Sequence, residues 1–186
     1  EKLDGANCAV SFDGAGESDA WPCTGKRKEI PGHLGYHYVQ QVLASRGYTT
    51  VSIRANGVNA QDHAVADGGA AARADLVDAH LAHWAGLPAG HHVDLDRVVL
   101  VGHSRGGEGV NRASLRTPLG ADHTFVGQVL LAPTDFASQS SPYVPTVTVL
   151  PYCDGDVSDL QGQRFVEFGR DLAADDNALS PSSAVN

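Results

Sequence analysis

Apolar and polar positions repeat with a helical period in three parts of the chain. The stretches are "HLGYHYVQQVLASRG" (residues 33–47), "DGGAAARADLVDAHLAHWAG" (67–86) and "DLQGQRFVEFGRDLAA" (159–174). In each, apolar residues recur every three or four positions, which predicts an amphipathic helix with one buried face. Gly47 stands where the first helix should end, and Asp67 is suited to be the N-cap of the second.

Short apolar runs rich in β-branched residues separate these helical stretches. They are "TTVSIRANG" (49–57), "DRVVLVG" (96–102), "TFVGQVLLAP" (124–133) and "PTVTVLPYC" (145–153). Strands that are apolar on both faces and alternate with helices predict a mostly parallel sheet with helices on both faces, the α/β class. We expect one domain over residues 1–186 with its core at about 33–175, an irregular segment at 1–32, and no element in the tail "DDNALSPSSAVN".

One turn in this pattern has the sequence of a site for a catalytic nucleophile. Residues 102–106, "GHSRG", match G-x-S-x-G between the apolar run Val98–Val101 and a glycine-rich helix start at about Arg105. A serine on such a strained strand-to-helix turn is exposed at the carboxyl end of the sheet, and small residues two before and two after it prevent collisions. We therefore predict that Ser104 is a nucleophile and that the backbone N–H of Arg105 donates to an oxyanion. A structural or phosphate-binding turn is the alternative.

With this turn in its context, residues 33–175 resemble the α/β-hydrolase fold family, within it the secreted dienelactone-hydrolase-like and esterase- or lipase-like branch. The resemblance implies that the serine follows the family's fifth strand and that "TTVSIRANG" is its fourth. It also implies that strands six and seven are the runs at 124–133 and 145–153. The family's catalytic acid follows strand seven, where this chain reads "CDGDVSD" (153–159).

The acid has more than one candidate in that loop. We prefer Asp154 from its register with the family, and Asp156 is the alternative. Asp135, after the sixth strand, is a less common family location for the acid and is expected to be structural. The segment that begins with "DGDVSD" resembles the start of a calcium loop, but it has no glycine at the sixth position and no glutamate at the twelfth. We therefore predict no metal and no other cofactor.

The histidine of a Ser-His-Asp triad has no candidate in the family position. All nine histidines precede the acid loop, and the resemblance places the base after an eighth strand. His33, His37 and His63 border the expected pocket but are weak candidates. The family's third strand, the source of a second oxyanion donor, also has no clear match. We therefore expect an incomplete central portion of a hydrolase that lacks the first strands and the last strand, with the histidine on a complementary segment of the same precursor.

Composition restricts the cellular context and the partners. The net charge of −9 argues against binding to nucleic acid. The chain contains no run of about 18 apolar residues, so the sequence predicts no membrane span. The chain contains no Met, so we expect a processed piece of a longer precursor. A Cys8–Cys23 disulfide would restrain the irregular first segment and indicates a secreted protein, although two reduced thiols are the alternative. Cys153 is expected to be buried.

The expected activity is hydrolysis of a small carboxylic ester through an acyl-enzyme. A peptidase or amidase on the same fold is the nearest alternative. A non-catalytic binding module on a hydrolase scaffold is the alternative from a different class, since a fold does not determine a function.

Overall fold

The structure, a computed structural model, describes residues 31–88, 93–116, 121–138, 144–176 and 183–185. The chain divides into two compact units, Glu1–Gln61 and Asp62–Asn186. Cys8 and Cys23 lie outside the described residues, so their disulfide stays a prediction.

In the first unit, helix α1 (His37–Ser45) confirms the first helical stretch. Gly47 follows it with φ of 90°, and its N–H donates to the carbonyl of Ala44. The N–H of Tyr48 donates to the carbonyl of Leu43. These two bonds form a Schellman motif, in which glycine adopts the left-handed conformation at no steric cost.

The prediction of a strand at residues 49–57 is wrong. Val51 forms one isolated bridge, and helix α2 (Asn56–Gln61) occupies the end of that run. A β-branched run needs a neighbouring strand to supply its ladder hydrogen bonds. Among the described residues, this run forms no strand beyond that single bridge.

The second unit contains the sheet and its helices. Its helices are α3 (Ala70–Ala85), α4 (Arg105–Arg116) and α5 (Gln163–Asp176). Its strands are β1 (Val98–His103), β2 (Phe125–Leu131), β3 (Thr146–Val149) and β4 (Ser183–Val185). The described strands form one parallel sheet in the order β1-β2-β3-β4. The predicted α/β class is therefore confirmed for this part of the chain.

Strand β4 corrects the expectation that the tail carries no element. Its backbone pairs in parallel with Val147–Val149 of β3. Three residues are too few to show a hydrophobic period, so the partner strand rather than the local pattern determines this element.

Helix α3 begins close to its predicted cap. Gly69 occupies the N-cap position with φ of 80°, and the Asp67 carboxylate accepts from the N–H groups of Gly69 and Ala71 at 3.0 and 2.9 Å. The hydrogen bond from Ala71, more than any other contact, lowers the pKa of Asp67. Asp67 therefore caps this helix from two residues before its formal N-cap.

Polar side chains form part of the core between α4 and the sheet. The Gln128 amide of β2 is buried and donates to Asn111 Oδ1 at 2.9 Å and to Thr146 Oγ1 at 3.2 Å. A buried amide without such partners would be destabilising. This network fixes how α4, β2 and β3 pack on one another.

The opposite face of β1 is open to solvent. Val99 and Val101 are 53% and 57% exposed, whereas Leu100 between them is buried. Strand β1 is also an edge of the described sheet. An edge strand of this kind offers its backbone groups to a further strand that could add beside it. Among the described helices, none is long and apolar enough to cross a membrane.

Candidate functional site

Ser104 occupies the turn between β1 and α4, as predicted. Its φ of 54° lies in the left-handed region that side chains other than glycine rarely adopt. Its N–H donates to Leu131 O at 2.9 Å, and its carbonyl accepts from the N–H groups of Gly107 at 2.8 Å and Thr134 at 3.3 Å. Three backbone hydrogen bonds, two of them to residues of β2 and its following loop, therefore stabilise the strained conformation.

The glycines of this serine turn (residues 102–106) differ in what they do. A Cβ on Gly102 would lie 2.3 Å from Gly106 O and 2.7 Å from Gly107 Cα, so only glycine fits there. A Cβ on Gly106 would meet nothing within 4 Å. The expectation that a residue two after the serine must be small is therefore wrong for this chain. Close packing explains why residue 102 alone is restricted: the backbone of Gly106 crosses directly over it.

Two further glycines let helix α4 approach its neighbours. A Cβ on Gly107 would lie 2.7 Å from Pro133 Cβ, in the loop after β2. A Cβ on Gly109 would lie 2.6 Å from Arg73 Cβ on α3. At Gly109 the close neighbour is therefore helix α3 rather than the sheet.

A second carboxylate fixes the loop after β2 to the start of α4. Glu108 is 1% exposed, and its Oε2 and Oε1 accept from Thr134 Oγ1 and from the N–H of Ala137, both at 2.9 Å. Thr134 thereby binds α4 through its hydroxyl and Ser104 through its N–H. A glutamate in the first turn of a helix is usually solvated, so the sequence alone does not reveal this role.

The acid loop begins at the same edge of the sheet. His103, Leu131 and Val149 are aligned by the strand registers, so β1, β2 and β3 end at one level. Ser104 follows the first of these residues, and Asp154 comes five positions after the last. Since adjacent strands are about 4.8 Å apart, the two chain segments leave the sheet about 10 Å from each other.

Within this loop, the two candidate acids have different surroundings. Asp154 is half-buried, and its Oδ1 accepts from the N–H groups of Asp156 and Val157 at 2.8 and 3.2 Å. Asp156 is exposed. An acid that orients an imidazole must itself be held in place, and the backbone bonds hold Asp154. Its second oxygen, Oδ2, takes no part in those two bonds.

Asp135 is a buried carboxylate with a cationic partner. Its side chain is 0% exposed, and Arg164 Nη1 of α5 lies 3.3 Å from its Oδ2. Its N–H donates to Gln161 Oε1 at 2.8 Å. These contacts join the loop after β2 to α5 and to the turn that precedes it.

An ion-pair network that the sequence does not reveal lies beside the serine turn. Asp62 has a side chain that is 2% exposed, and its Oδ2 accepts from Arg73 Nη2 at 2.6 Å and from Arg105 Nη1. Arg105 is the residue that follows Ser104. Forty-three positions separate Asp62 from Arg105, and no local period links the two residues.

The histidines of the described residues belong to several different elements and loops. His103 and His63 are exposed, and His63 follows Asp62 directly. His80 is buried in α3, and burial, with the nearby charge of His83, lowers its pKa. His33 and His37 belong to the first unit.

Cys153 corrects a further expectation. It is exposed and carries a free thiol, not buried as predicted. The apolar run before it ends at Leu150, which is buried, and Pro151 and Tyr152 already lie at the surface. The chain leaves the sheet after Val149, so the side chains beyond it follow the loop rather than the strand period.

In the part of the chain that the structure describes, no group of three or more His, Cys, Asp or Glu side chains could hold a metal ion. The chain matches no protein-family model and no curated protein. The geometry around Ser104 is therefore what indicates a function.

Proposed function

We propose that the chain is part of a serine hydrolase of the α/β-hydrolase fold that cleaves carboxylic esters. The observation that carries the proposal is the conformation of Ser104, whose φ of 54° is maintained by hydrogen bonds at the junction of β1 and α4. Backbone strain of this kind costs about 1–3 kcal/mol and is concentrated at functional positions.

In this proposal, Ser104 Oγ attacks the ester carbonyl and forms an acyl-enzyme, and water then releases the acid. The alcohol leaves with a proton from the imidazole that deprotonated Ser104. The N–H of Arg105, at the N-terminus of α4, donates to the oxyanion of the tetrahedral intermediate. Asp154 orients the imidazole and stabilises its positive charge, because its backbone contacts hold it at the same edge of the sheet as Ser104.

The histidine is proposed to come from a segment outside these 186 residues, as is the second oxyanion donor. Two segments leaving the sheet about 10 Å apart, with Ser104 on one and Asp154 on the other, leave room for an imidazole between the side chains. The exposed edge of β1 supports a further strand beside it. We also propose that the protein is exported from the cell, because the predicted Cys8–Cys23 disulfide would persist in an oxidising environment.

Covalent labelling of the 186-residue chain tests the proposed nucleophile. A fluorophosphonate probe at alkaline pH should modify Ser104, and added imidazole should accelerate labelling because it supplies the missing base. Residual reactivity without a complete triad is expected from the oxyanion donor. Ser104→Ala should abolish labelling, whereas Ser158→Ala, at an exposed serine of the acid loop, should leave it unchanged.

Labelling and substrate turnover together separate the two candidate acids and the alternative functions. Asp154→Ala should remove the acceleration by imidazole and Asp156→Ala should not. Faster turnover of a p-nitroanilide than of the matching p-nitrophenyl ester would favour the amidase alternative. Wild-type chain that remains unlabelled in the presence of imidazole would contradict the hydrolase proposal and favour a binding module.

A further inference from the structure

The buried carboxylate of Asp62 holds two guanidinium groups of different mobility. Arg73 is 8% exposed, and its Nη1 also donates to Gly68 O at 2.8 Å. Its aliphatic part packs against Gly109 of α4. Arg105 is 44% exposed, and its Nη1 contacts the same oxygen of Asp62. Without Asp62, Arg73 would keep these other contacts, while the half-exposed Arg105 would lose a buried anchor.

The position of Arg105 makes this anchor relevant to chemistry. Arg105 is the first residue of α4 and directly follows Ser104. Its side chain reaches to Asp62 at the start of the short 3₁₀ turn Asp62–Ala64, so one end of the residue is fixed to a different part of the second unit. The ion pair therefore ties the first turn of α4, which contains the N–H of Arg105, to Asp62.

We propose that Asp62 is a positioning residue for the oxyanion donor of this site, acting through the Arg105 side chain. The inference rests on the proposed function, in which the N–H of Arg105 stabilises the oxyanion. Such a donor must be held within about 0.5 Å of the position from which it donates to the charge that develops in the transition state. The ion pair with Arg105 adds to the hydrogen bonds on the Ser104 carbonyl in keeping the first peptide of α4 in that direction, whereas the ion pair with Arg73 joins the same carboxylate to α3.

The test uses saturation kinetics of fluorophosphonate labelling in the 186-residue chain, which yield a binding constant and a maximal rate constant. Asp62→Asn should lower the maximal rate about 10- to 100-fold, the effect of a misplacement on the order of 1 Å, with unchanged probe binding. An interaction made only in the transition state has this signature. Arg105→Gln should have the same effect, and Arg105→Lys, which retains a cation, should recover part of the rate.

Arg73→Gln is the matched control, because Arg73 contacts the same oxygen but belongs to α3. It should lower the urea midpoint of unfolding and leave the maximal labelling rate of folded protein unchanged. The double variant Asp62→Asn/Arg105→Gln should be no slower than either single variant, since both substitutions remove one interaction.

Wild-type rates in folded Arg105→Gln would overturn the inference, and this exposed site provides the test even where Asp62→Asn does not fold. An equal loss of rate in Arg73→Gln would also overturn it, because the network would then act through stability alone. Labelling that survives Ser104→Ala would instead refute the proposed function.

Discussion

Two alanine substitutions in the serine turn, identical in chemistry, should have opposite effects on stability. In Gly102→Ala, the added methyl would lie 2.3 Å from Gly106 O and 2.6 Å from Gly106 C. Carbon and oxygen atoms do not approach below about 3 Å, so the backbone must move by several tenths of an ångström or more. In Gly106→Ala, the methyl enters open space on helix α4.

The magnitudes follow from this geometry. Overpacking costs about 1–3 kcal/mol, and we expect the upper end at Gly102 because the obstacle is backbone rather than a flexible side chain. Helix α4 cannot easily move away, since Gly107 already lies against Pro133 and Gly109 against Arg73. Replacing a helical glycine by alanine stabilises by about 0.5–1 kcal/mol. The two variants should therefore differ by about 3–4 kcal/mol.

Urea unfolding followed by circular dichroism measures this difference directly, and thermal unfolding provides a second measurement. For a chain of this length, each kcal/mol corresponds to about 2–4 °C in Tm. Gly102→Ala should also lose labelling of Ser104, while Gly106→Ala should retain it. Equal stability of the two variants, or a Gly102→Ala protein as stable as the parent, would refute the close approach of α4 to the end of β1.

The remaining predictions concern a helix cap and an exposed thiol. Asp67→Ala should destabilise the second unit by about 1 kcal/mol through loss of the cap of α3. Because folding lowers the pKa of Asp67, its contribution is present above the pKa of the unfolded chain and is lost as the pH falls through the folded value, so the two proteins should converge in acid. Urea midpoints measured across that range check the sign, and a constant difference down to low pH would contradict it. Cys153 should react with iodoacetamide in the native protein without added reductant, and peptide mapping should find Cys8 and Cys23 unmodified if they form the predicted disulfide. Protection of Cys153 would contradict its exposure.

The sequence predicted those elements whose own pattern is long enough to define them. Helix α3 was recognised from its apolar period and its cap at Asp67, and β1 and α4 from the apolar run and glycines around Ser104. The strand expected at residues 49–57 and the missed strand β4 failed for one physical reason. Strand formation depends on a partner, and a single sequence does not say whether a partner is present.

The residues of the candidate site likewise include some that the sequence predicted and some that it did not. Ser104 was predicted because the steric restriction on its turn acts between residues close in sequence. Such a turn requires glycine, which can be recognised in the sequence. Asp62 and Glu108 were missed because each acts through contacts distant in the chain, 43 positions to Arg105 and 26 to Thr134. Carboxylates in short turns or first helical turns are commonly solvated, so their residue types carried no signal.

The hydrogen bonds of Ser104 also imply an order of folding. Its N–H and its carbonyl are bound by Leu131 and Thr134, which belong to β2 and the loop after it. A peptide of residues 98–110 alone contains neither of these two partners and keeps only the hydrogen bond from Gly107, so it should relax Ser104 to an ordinary backbone conformation. During folding, the reactive geometry therefore forms only after β1 and β2 have paired. The five-residue motif marks where this geometry will form, but the neighbouring strand generates it.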